Sequence, residues 1–351
     1  MFSKSLQQIS HYLWLVTNLH EIVYAESYYP ELPRKTILQR YFENIRYCRE
    51  DGRLNDFYNL YGLDIVGTNP DDYFAYETFK KSRDEKNQFK KVGDGSYSHI
   101  ALVRDKFLFS QYMKSIGGPT PAVFAVIMDG RFFNSDFTPI TDVDAFFREH
   151  KSDFFIKNFD SLGGHGVQYI RDFDELNKHL SFYAKGLFIL QDKIQQHHEM
   201  NRLNPHSINT VRMVTVRGEN GPHLWNTFCR IGTARSGFVD NVSSGGMAVG
   251  IDDEGKLMKF GFCEPGAGTK VTVHPDSGVT FESFEIPRFK EAMNLVLSLH
   301  RKMYMFHSIG WDVVITETGV TILEANDNWG GFISQACFGG LRSKWEKSLQ
   351  Y

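Results

Sequence analysis

Residues 307–326, HSIGWDVVITETGVTILEAN, carry the strongest indication of the architecture. Two runs rich in β-branched residues flank a three-residue segment, ETG. This pattern is typical of a β-hairpin whose loop ends in a left-handed glycine. Such a loop pairs Thr316 with Val320, and counting back from that pair places Asp312 opposite Glu324. The stretch therefore predicts two antiparallel strands that bring two carboxylates together.

An amide joins these carboxylates on the same face of the hairpin. Asn326 lies two residues beyond Glu324 and points to the same side as Asp312. Two adjacent carboxylates repel unless a cation neutralises them, and hard oxygen ligands suit Mg²⁺, which completes its shell with phosphate oxygens and water. The alternative is a pair of exposed strand carboxylates beside a turn asparagine. Apolar residues predict that the opposite face is buried: Trp311, Val313, Leu323 and Ala325.

A second candidate site is the glycine-rich segment FFIKNFDSLGGHGV, residues 154–167. An apolar strand ends near Lys157, and a Ser/Gly loop leads into another strand. Glycines let backbone N–H groups approach phosphate oxygens closely, and the lysine supplies a cation. The segment matches neither GxGxxG nor GxxxxGK[ST], which excludes the Rossmann and P-loop types. Taken alone, it also fits a hairpin loop that binds nothing.

The composition predicts a soluble globular protein. The chain has 351 residues, 42% of them apolar and 23% charged, which is enough for two or three subdomains. Its net charge of −3 argues against a broad surface for nucleic acid or anionic membranes. Four cysteines without CxxC spacing argue against a zinc ribbon and are typical of a reducing compartment. No apolar run has the ~18 residues that a membrane span needs, and we expect a cytoplasmic protein.

Hydrophobic periodicity divides the chain into a helical region, 1–95, and two α/β lobes, 96–191 and 192–351. Helical spacing in the first region appears at residues 38–45 and again at 57–61. The segment GDGS at 93–96 predicts a turn at the boundary. The lobes predict helices at 100–116, 172–183 and 287–305, and strands at 122–128, 153–157, 167–170, 210–216, 223–231, 311–316 and 320–325.

In chain order, these segments resemble the ATP-grasp superfamily. The order is RDKFLFSQYMKSIGGPTP, then IKN and SLGGHGV, a strand entering LQDKI, an arginine-bearing strand, and finally D…ExN. The runs SINTVRMVT, FVDNVSSGGMAVGID and GWDVVITETGVTILEAN are most similar to the sugar-transfer-associated ATP-grasp family (alpha-L-glutamate ligase-like). The similarity extends over about residues 97–340. It implies an α/β fold in which two lobes clamp a nucleotide. Better-known ligases begin with an α/β substrate domain, whereas this chain begins with a mainly helical region.

The resemblance also implies residues for ATP and for Mg²⁺, with Mn²⁺ as an alternative ion. Gln191 would face the adenine edge, although the family commonly has Glu at this position; an amide can donate and accept hydrogen bonds there. The implied nucleotide-binding residues are Lys106, Lys157, Ser161, Gly163, Gly164, His165, Gly166, Gln191 and Ile194. The implied metal ligands are Asp312, Glu324 and Asn326.

Two further groups follow from the same resemblance. Arg212 and Arg230 lie on strands that lead to the cleft, where arginine can bind phosphate or carboxylate, and Asn326 completes the catalytic set. A structural ion pair is the alternative for each arginine. The second glycine-rich stretch would lie near the transferred phosphoryl group, and the alternative is a flexible loop. Its residues are Asn241, Ser243, Ser244, Gly245 and Gly246.

The leading functional hypothesis is a carboxylate–amine ligase that uses ATP and an acyl phosphate. The family context implies a small-molecule or saccharide carboxylate and an amine, as in polysaccharide biosynthesis. The sequence has no convincing Ser-His-Asp or Cys-His arrangement, and this chemistry needs no protein nucleophile. One alternative is a kinase that phosphorylates a sugar or polyol hydroxyl. Another is a nucleotide-binding module without turnover, although all metal-ligand positions and both lysines are present.

Overall fold

Two antiparallel sheets with flanking helices form the protein. The computed structural model describes residues 16–87, 90–92, 95–150, 153–159, 166–264 and 270–351. The helices are α1 (16–24), α2 (Ile37–Asp51), α3 (Tyr76–Asn87), α4 (Ala101–Arg104), α5 (Lys106–Ser115), α6 (Val143–Glu149), α7 (Phe173–Lys178), α8 (His198–Leu203), α9 (Phe289–Lys302), α10 (Phe332–Phe338) and α11 (Arg342–Ser348). The strands are β1 (Lys90–Val92), β2 (Gly95–Tyr97), β3 (Val123–Met128), β4 (Arg131–Asn134), β5 (Phe154–Asn158), β6 (Val167–Ile170), β7 (Leu187–Asp192), β8 (Val211–Gly218), β9 (Gly221–Ile231), β10 (Met247–Ile251), β11 (Leu257–Phe262), β12 (Ser308–Ile315) and β13 (Val320–Asn326).

The N-terminal region is mainly helical, as predicted, but only one of its two periodic segments is a helix. Thr36 and Gln39 form a capping box that starts α2. Residues 57–61 form consecutive turns instead of the helix that their spacing indicates. The Asn55 side chain accepts a hydrogen bond from Phe57 N at 3.2 Å, and this local bond competes with helix formation.

The first lobe contains a five-stranded sheet in the order β4-β3-β7-β5-β6. Strands β3, β5 and β6 agree with the predicted ones and β7 is the strand that enters LQDKI, whereas β4 is not among the predicted strands. The helix predicted over residues 100–116 is interrupted and consists of two helices, α4 and α5. Asp105 has extended backbone angles, φ −83° and ψ 117°, and separates α4 from α5. Its carboxylate accepts a hydrogen bond from Leu108 N at 2.8 Å and thereby caps α5. The helix predicted over residues 172–183 is shorter than expected, since α7 ends at Lys178.

The second lobe contains a six-stranded sheet in the order β11-β10-β9-β8-β12-β13. The helix predicted over 287–305 is α9, which packs on β8, β9 and β12 around the fully buried Trp311. Strands β10 and β11, at one side of this sheet, are not among the predicted strands. The predicted α/β class is confirmed, whereas the division of the chain at residues 95 and 191 stays a prediction.

In the β12–β13 hairpin Asp312 pairs with Glu324, as predicted, but the loop and the register differ from the predicted ones. The loop spans residues 316–319, so Val320 pairs with Ile315 and not with Thr316. Gly319 does not have a positive φ. A β-bulge beyond Ile322 then shifts the register by one residue, and Asp312 pairs with Glu324 after all.

The bulge also changes the face on which Leu323 lies. Leu323 lines a cleft beside Glu324 and is only half-buried, because a bulge turns two successive side chains towards similar directions. Its predicted burial in the core with Trp311, Val313 and Ala325 is therefore wrong for this one residue; the other three are buried.

No helix in the described parts of the chain is long and apolar enough to cross a membrane.

Candidate active site

A cleft lies between the two sheets and gathers side chains from both lobes. Lys157 and Gln191, from β5 and β7, line one side. Arg230, Asp312 and Glu324, from β9, β12 and β13, line the other. Each residue lies on a strand, so the backbone ladders hold these charges in fixed positions.

Asp312 is the most heavily bonded carboxylate of the cleft and is only 2% exposed. Arg212 binds it through two nitrogens, with Nε–Oδ1 at 2.5 Å and Nη2–Oδ2 at 3.1 Å. Arg230 Nη2 lies 3.0 Å from Oδ2. Burial by itself would raise the pKa of Asp312, but the two arginines outweigh burial and hold it below its usual value.

The two arginines occupy different places. Arg212 lies behind Asp312, paired across β8 and β12, and is not among the residues that line the cleft. Arg230 lines the cleft, and burial would lower its pKa, but Asp240, Asp312 and Glu324 raise the pKa above its ordinary value. Arg230 is therefore the better placed of the two to contact an anionic ligand.

Sequence reasoning missed Asp240 and Thr210, which hold Arg230. Asp240 Oδ2 accepts hydrogen bonds from Thr210 N at 2.9 Å and from Thr210 Oγ1 at 2.5 Å. The same hydroxyl oxygen accepts a hydrogen bond from Arg230 Nε at 3.0 Å. Asp240 lies in an irregular loop and Thr210 just before a strand, so no periodic signal connects them.

Lys157 is 8% exposed and has a neutral partner. Its Nζ donates to Gln191 Oε1 at 2.8 Å, while Gln191 Nε2 donates to the carbonyl of Pro121 at 3.2 Å. Burial lowers the pKa of Lys157 to about 8; Lys106 acts in the same direction and Glu324 opposes it. The predicted contact of Gln191 with adenine stays a prediction; each of these two bonds uses one lone pair or one N–H of the amide, so a second lone pair and a second N–H remain.

The cleft continues towards the ends of β13 and α5. Lys106, at the start of α5, lines this part together with Lys157, Glu324 and Asn326. The opposite end is lined by apolar side chains that include Ile194, Phe155 and Phe238, while Leu323 lines both parts of the cleft. The cleft thus passes from an apolar end, through a region with cations and carboxylates, to a second cationic end.

The first glycine-rich loop is described only at its last residue. Ser161, Gly163, Gly164 and His165 lie outside the described residues. Gly166 has a φ of +69°, and a Cβ there would lie 3.3 Å from the Asn158 side chain. Both features favour glycine at this position.

The second glycine-rich stretch forms a short 3₁₀ turn that borders the cleft. Asn241 lines the cleft, whereas Ser243 and Ser244 are exposed and are not among the lining residues. Gly245 has a φ of +96°, and a Cβ on Gly246 would lie 2.5 Å from the Asp240 carbonyl oxygen. The glycines therefore allow the chain to turn tightly beside Asp240.

The donor set at the hairpin fits a hard cation. Asn326 Nδ2 donates to Gly310 O and to Asp312 Oδ2, both at 3.3 Å, which leaves the amide oxygen of Asn326 as the atom suited to a metal. Glu324 contributes a carboxylate that lines the cleft. Asp312 shares its carboxylate with two arginines, so a cation bound there would compete with them for its oxygens.

Another group of metal-capable side chains lies away from this cleft: His197, His198 and Glu317. His197 Nδ1 accepts a hydrogen bond from Glu199 N at 3.1 Å, so in this arrangement its Nε2 carries the proton and offers no lone pair to a metal. Glu317 accepts hydrogen bonds from His198 N at 2.7 Å and from its ring at 2.8 Å. These contacts cap α8 and join it to the hairpin loop.

The chain is similar to several known proteins. A family model described as sugar-transfer associated ATP-grasp matches residues 90–347. D-alanyl-alanine synthetase A from Vibrio cholerae O1 biovar eltor matches with 10% identity and a TM-score of 0.43, over 72% of this chain and 68% of that one. N5-carboxyaminoimidazole ribonucleotide synthetase from Thermotoga maritima matches with 14% identity and a TM-score of 0.40, over 80% and 56%.

The ADP complex of another N5-carboxyaminoimidazole ribonucleotide synthetase matches with 10% identity and a TM-score of 0.39. The match covers 65% of this chain, which spans 45% of the length of that structure. None of the curated proteins matches the chain.

Proposed function

Because the chain belongs to the sugar-transfer-associated ATP-grasp family, we propose that it is an ATP-dependent carboxylate–amine ligase. One observation carries the proposal: Lys157 and Arg230 line the same cleft as Asp312 and Glu324, so cations for phosphate lie beside oxygen ligands for a metal. The proposed substrates are a small-molecule or saccharide carboxylate and an amine.

The nucleotide would lie along the cleft with its base at the apolar end. Ile194, Phe155 and Phe238 offer apolar surface to a base there. Lys157 and Lys106, further along, supply charge for the phosphates. The neutral partner of Lys157 supports this role, because no carboxylate of the described residues is hydrogen-bonded to the ammonium group, so phosphate would have none of them to displace.

Mg²⁺ held by Glu324 and Asn326, with Asp312, would neutralise phosphate charge when it is bound. The residues around it perform the other tasks. Arg230 is oriented by Thr210 and Asp240 and stabilises negative charge on the transferred group. Arg212 holds Asp312 in place from behind.

The reaction has two steps. The substrate carboxylate attacks the γ-phosphorus of ATP, so that a new P–O bond forms and the bond from that phosphorus to ADP breaks. The amine then attacks the acyl carbon, phosphate leaves, and the nitrogen loses a proton to solvent. Positioning and electrostatic stabilisation do most of the catalysis, and no covalent enzyme intermediate is needed.

The test is a turnover assay with Mg-ATP and a panel of acids, amines, sugars and polyols. A ligase releases ADP and phosphate only when acid and amine are both present, and mass spectrometry then finds an amide. ADP with a phosphate ester on a hydroxyl would identify a kinase instead. Tight nucleotide binding without ADP release across the panel would identify a binding module. The Glu324→Gln protein serves as the control that excludes a contaminating ATPase.

A further inference from the structure

Arg104 is a cation of the cleft that none of the roles above includes. It is the last residue of α4, immediately before the extended Asp105 that separates α4 from α5. It lines the end of the cleft that contains Lys106 and Asn326, which we call the metal end. The break between the two helices therefore brings Arg104 and Lys106 to the same end of the cleft.

A buried carboxylate holds the Arg104 guanidinium in one orientation. Arg104 Nε lies 2.9 Å from Asp327 Oδ1, and Nη2 lies 2.8 Å from Oδ2. The Asp327 side chain is only 3% exposed, whereas that of Arg104 is 40% exposed. One edge of the guanidinium thus faces the carboxylate, and the Nη1 amino group, with two N–H donors, lies outside this pair.

The N-terminal helical region holds Asp327 in turn. Asn87, the last residue of α3 and fully buried, donates to the Asp327 backbone carbonyl at 2.8 Å. Its side-chain oxygen accepts hydrogen bonds from the N–H groups of His307 and Ser308 at 3.0 and 3.1 Å. A rigid support therefore stands behind Arg104, which reduces the entropy lost when an arginine binds an anion.

A nearby arginine shows what a purely structural role looks like. Arg83 of α3 donates to the Trp329 carbonyl and pairs with Asp84, is 4% exposed, and is not among the cleft-lining residues. Arg104 differs from it in exposure and in lining the cleft. A planar guanidinium that is paired along one edge can still bind a second oxyanion with its remaining N–H groups.

We propose that Arg104, positioned by Asp327, binds an anionic oxygen of the substrates at the metal end of the cleft. This inference rests on the proposed function and deepens it. Two sources share the required chemistry: the terminal phosphoryl group of the nucleotide and the carboxylate of the acid substrate. Lys106 and Asn326 lie at the same end, so either group would also meet the proposed phosphate and metal residues.

The experiment compares nucleotide binding by the full chain and its Arg104→Met variant. Mg²⁺ complexes of a non-hydrolysable ATP analogue and of ADP are titrated by calorimetry. If Arg104 contacts the terminal phosphoryl group, the variant binds the ATP analogue about tenfold more weakly or worse and binds ADP within about twofold of wild type. Glutamate and glucuronate are then titrated into the ATP-analogue complex. If the contact is to the acid, only this last binding weakens.

Two control variants make the outcome decisive. Arg104→Lys keeps the positive charge but loses the planar set of N–H donors of the guanidinium, and it should recover part of the ligand affinity that Arg104→Met loses. Arg83→Met should lower thermal stability without changing the ratio of ATP-analogue to ADP affinity. Equal weakening of both nucleotides, or no change for any ligand, would overturn the role of Arg104. Failure of the wild-type protein to bind either nucleotide would instead overturn the proposed function and the inference with it.

Discussion

Asp312 is the residue at which the charges of the cleft meet. Two arginines and the Asn326 amide donate to its carboxylate, although it is buried. A buried carboxylate is stable only when such partners compensate for the water it has lost. Glu324 has a different position, since it is half-buried and lines the cleft. We therefore expect Glu324 to be the ligand whose removal affects a metal most directly.

Glu324→Gln should weaken Mg²⁺-dependent nucleotide binding by at least about tenfold, because even groups that only support a metal ligand contribute on the order of 10–100-fold. Calorimetry with the ATP analogue, with and without Mg²⁺, measures this. Glu317→Gln, at the exposed end of the same hairpin, is the matched control. Unchanged Mg²⁺ dependence in Glu324→Gln would show that this residue is not a ligand.

The lowered pKa of Lys157 predicts a pH dependence of nucleotide binding. With a pKa of about 8 instead of its ordinary 10.5, the free protein loses this charge above pH 8, and phosphate restores it by drawing a proton. Affinity should therefore fall above pH 8, with proton uptake on binding. Calorimetry at about pH 9 in buffers of different ionisation enthalpy measures this uptake. Lys157→Arg should abolish it, and equal uptake in both proteins would refute the assignment.

The same pKa has a consequence for stability. The folded-state pKa lies below the unfolded one, so the unfolded chain binds more protons between pH 8 and 10.5. The contribution of Lys157 to stability therefore rises with pH across this window, and its destabilising effect is fully present below pH 8. Lys157→Met should relieve that effect at neutral pH, and the gain should diminish as pH rises through the window.

At the scale of elements, the β12–β13 hairpin departs from the prediction in two ways that cancel in the pairing of Asp312 with Glu324. The loop is one residue longer than the glycine pattern predicts, and the bulge at Leu323 restores the register between Asp312 and Glu324. The bulge also brings Leu323 to the cleft. Bulges arise from the twist and packing of a strand pair, and apolar periodicity does not reveal them.

Gly310 of β12 packs closely against Trp329, which follows β13, so a methyl group added at Gly310 should lower stability. A Cβ on Gly310 would lie 2.5 Å from Trp329 Cβ, so Gly310→Ala must displace this tryptophan. We expect a loss of about 1–3 kcal/mol in the free energy of unfolding, measured with urea. Gly319→Ala, which would meet only Glu291 Oε1 at 3.6 Å, is the control. Equal stability of the two variants would contradict the contact.

At the scale of the whole molecule, the N-terminal region is integrated into the second lobe. Gln335 accepts a hydrogen bond from Phe74 N at 2.8 Å and donates to Phe74 O at 3.2 Å. The Arg342 guanidinium donates to Tyr73 O at 2.8 and 3.0 Å. Asn87 connects α3 to the strands that carry Asp312 and Glu324. These contacts indicate that the region supports the cleft.

Asn87→Ala should therefore lower the free energy of unfolding by more than the same substitution of an ordinary buried asparagine does. Four backbone groups, of His307, Ser308 and Asp327, would lose their partner. At about 1–3 kcal/mol for each buried group left unpaired, the loss should be at least about 4 kcal/mol. Asn44→Ala, which removes one bond to Arg40 O from another buried asparagine, is the control in urea unfolding. Similar losses of stability in the two variants would refute the role of Asn87 as a link between α3 and the second lobe.

The sequence by itself determined the features that depend on near neighbours. Helical spacing located α2 and α9, alternation and β-branched residues located the strands around Lys157 and Asp312, and the order of the motifs indicated the family. It did not separate helix from turns at 57–61, because Asn55 offers the backbone a competing bond. Nor did it show that α2 leaves Leu38 and Phe42 each 69% exposed.

Only the tertiary structure decided which charges meet. Arg212, Arg230 and Asp312 lie on three strands, and Asp240 lies in a loop, so their pairing depends on strand order and loop closure. The pairing of Arg104 with Asp327 likewise joins two lobes. Such contacts leave no periodic trace along the chain, because the free energy that selects them comes from burying and compensating charge in the folded molecule.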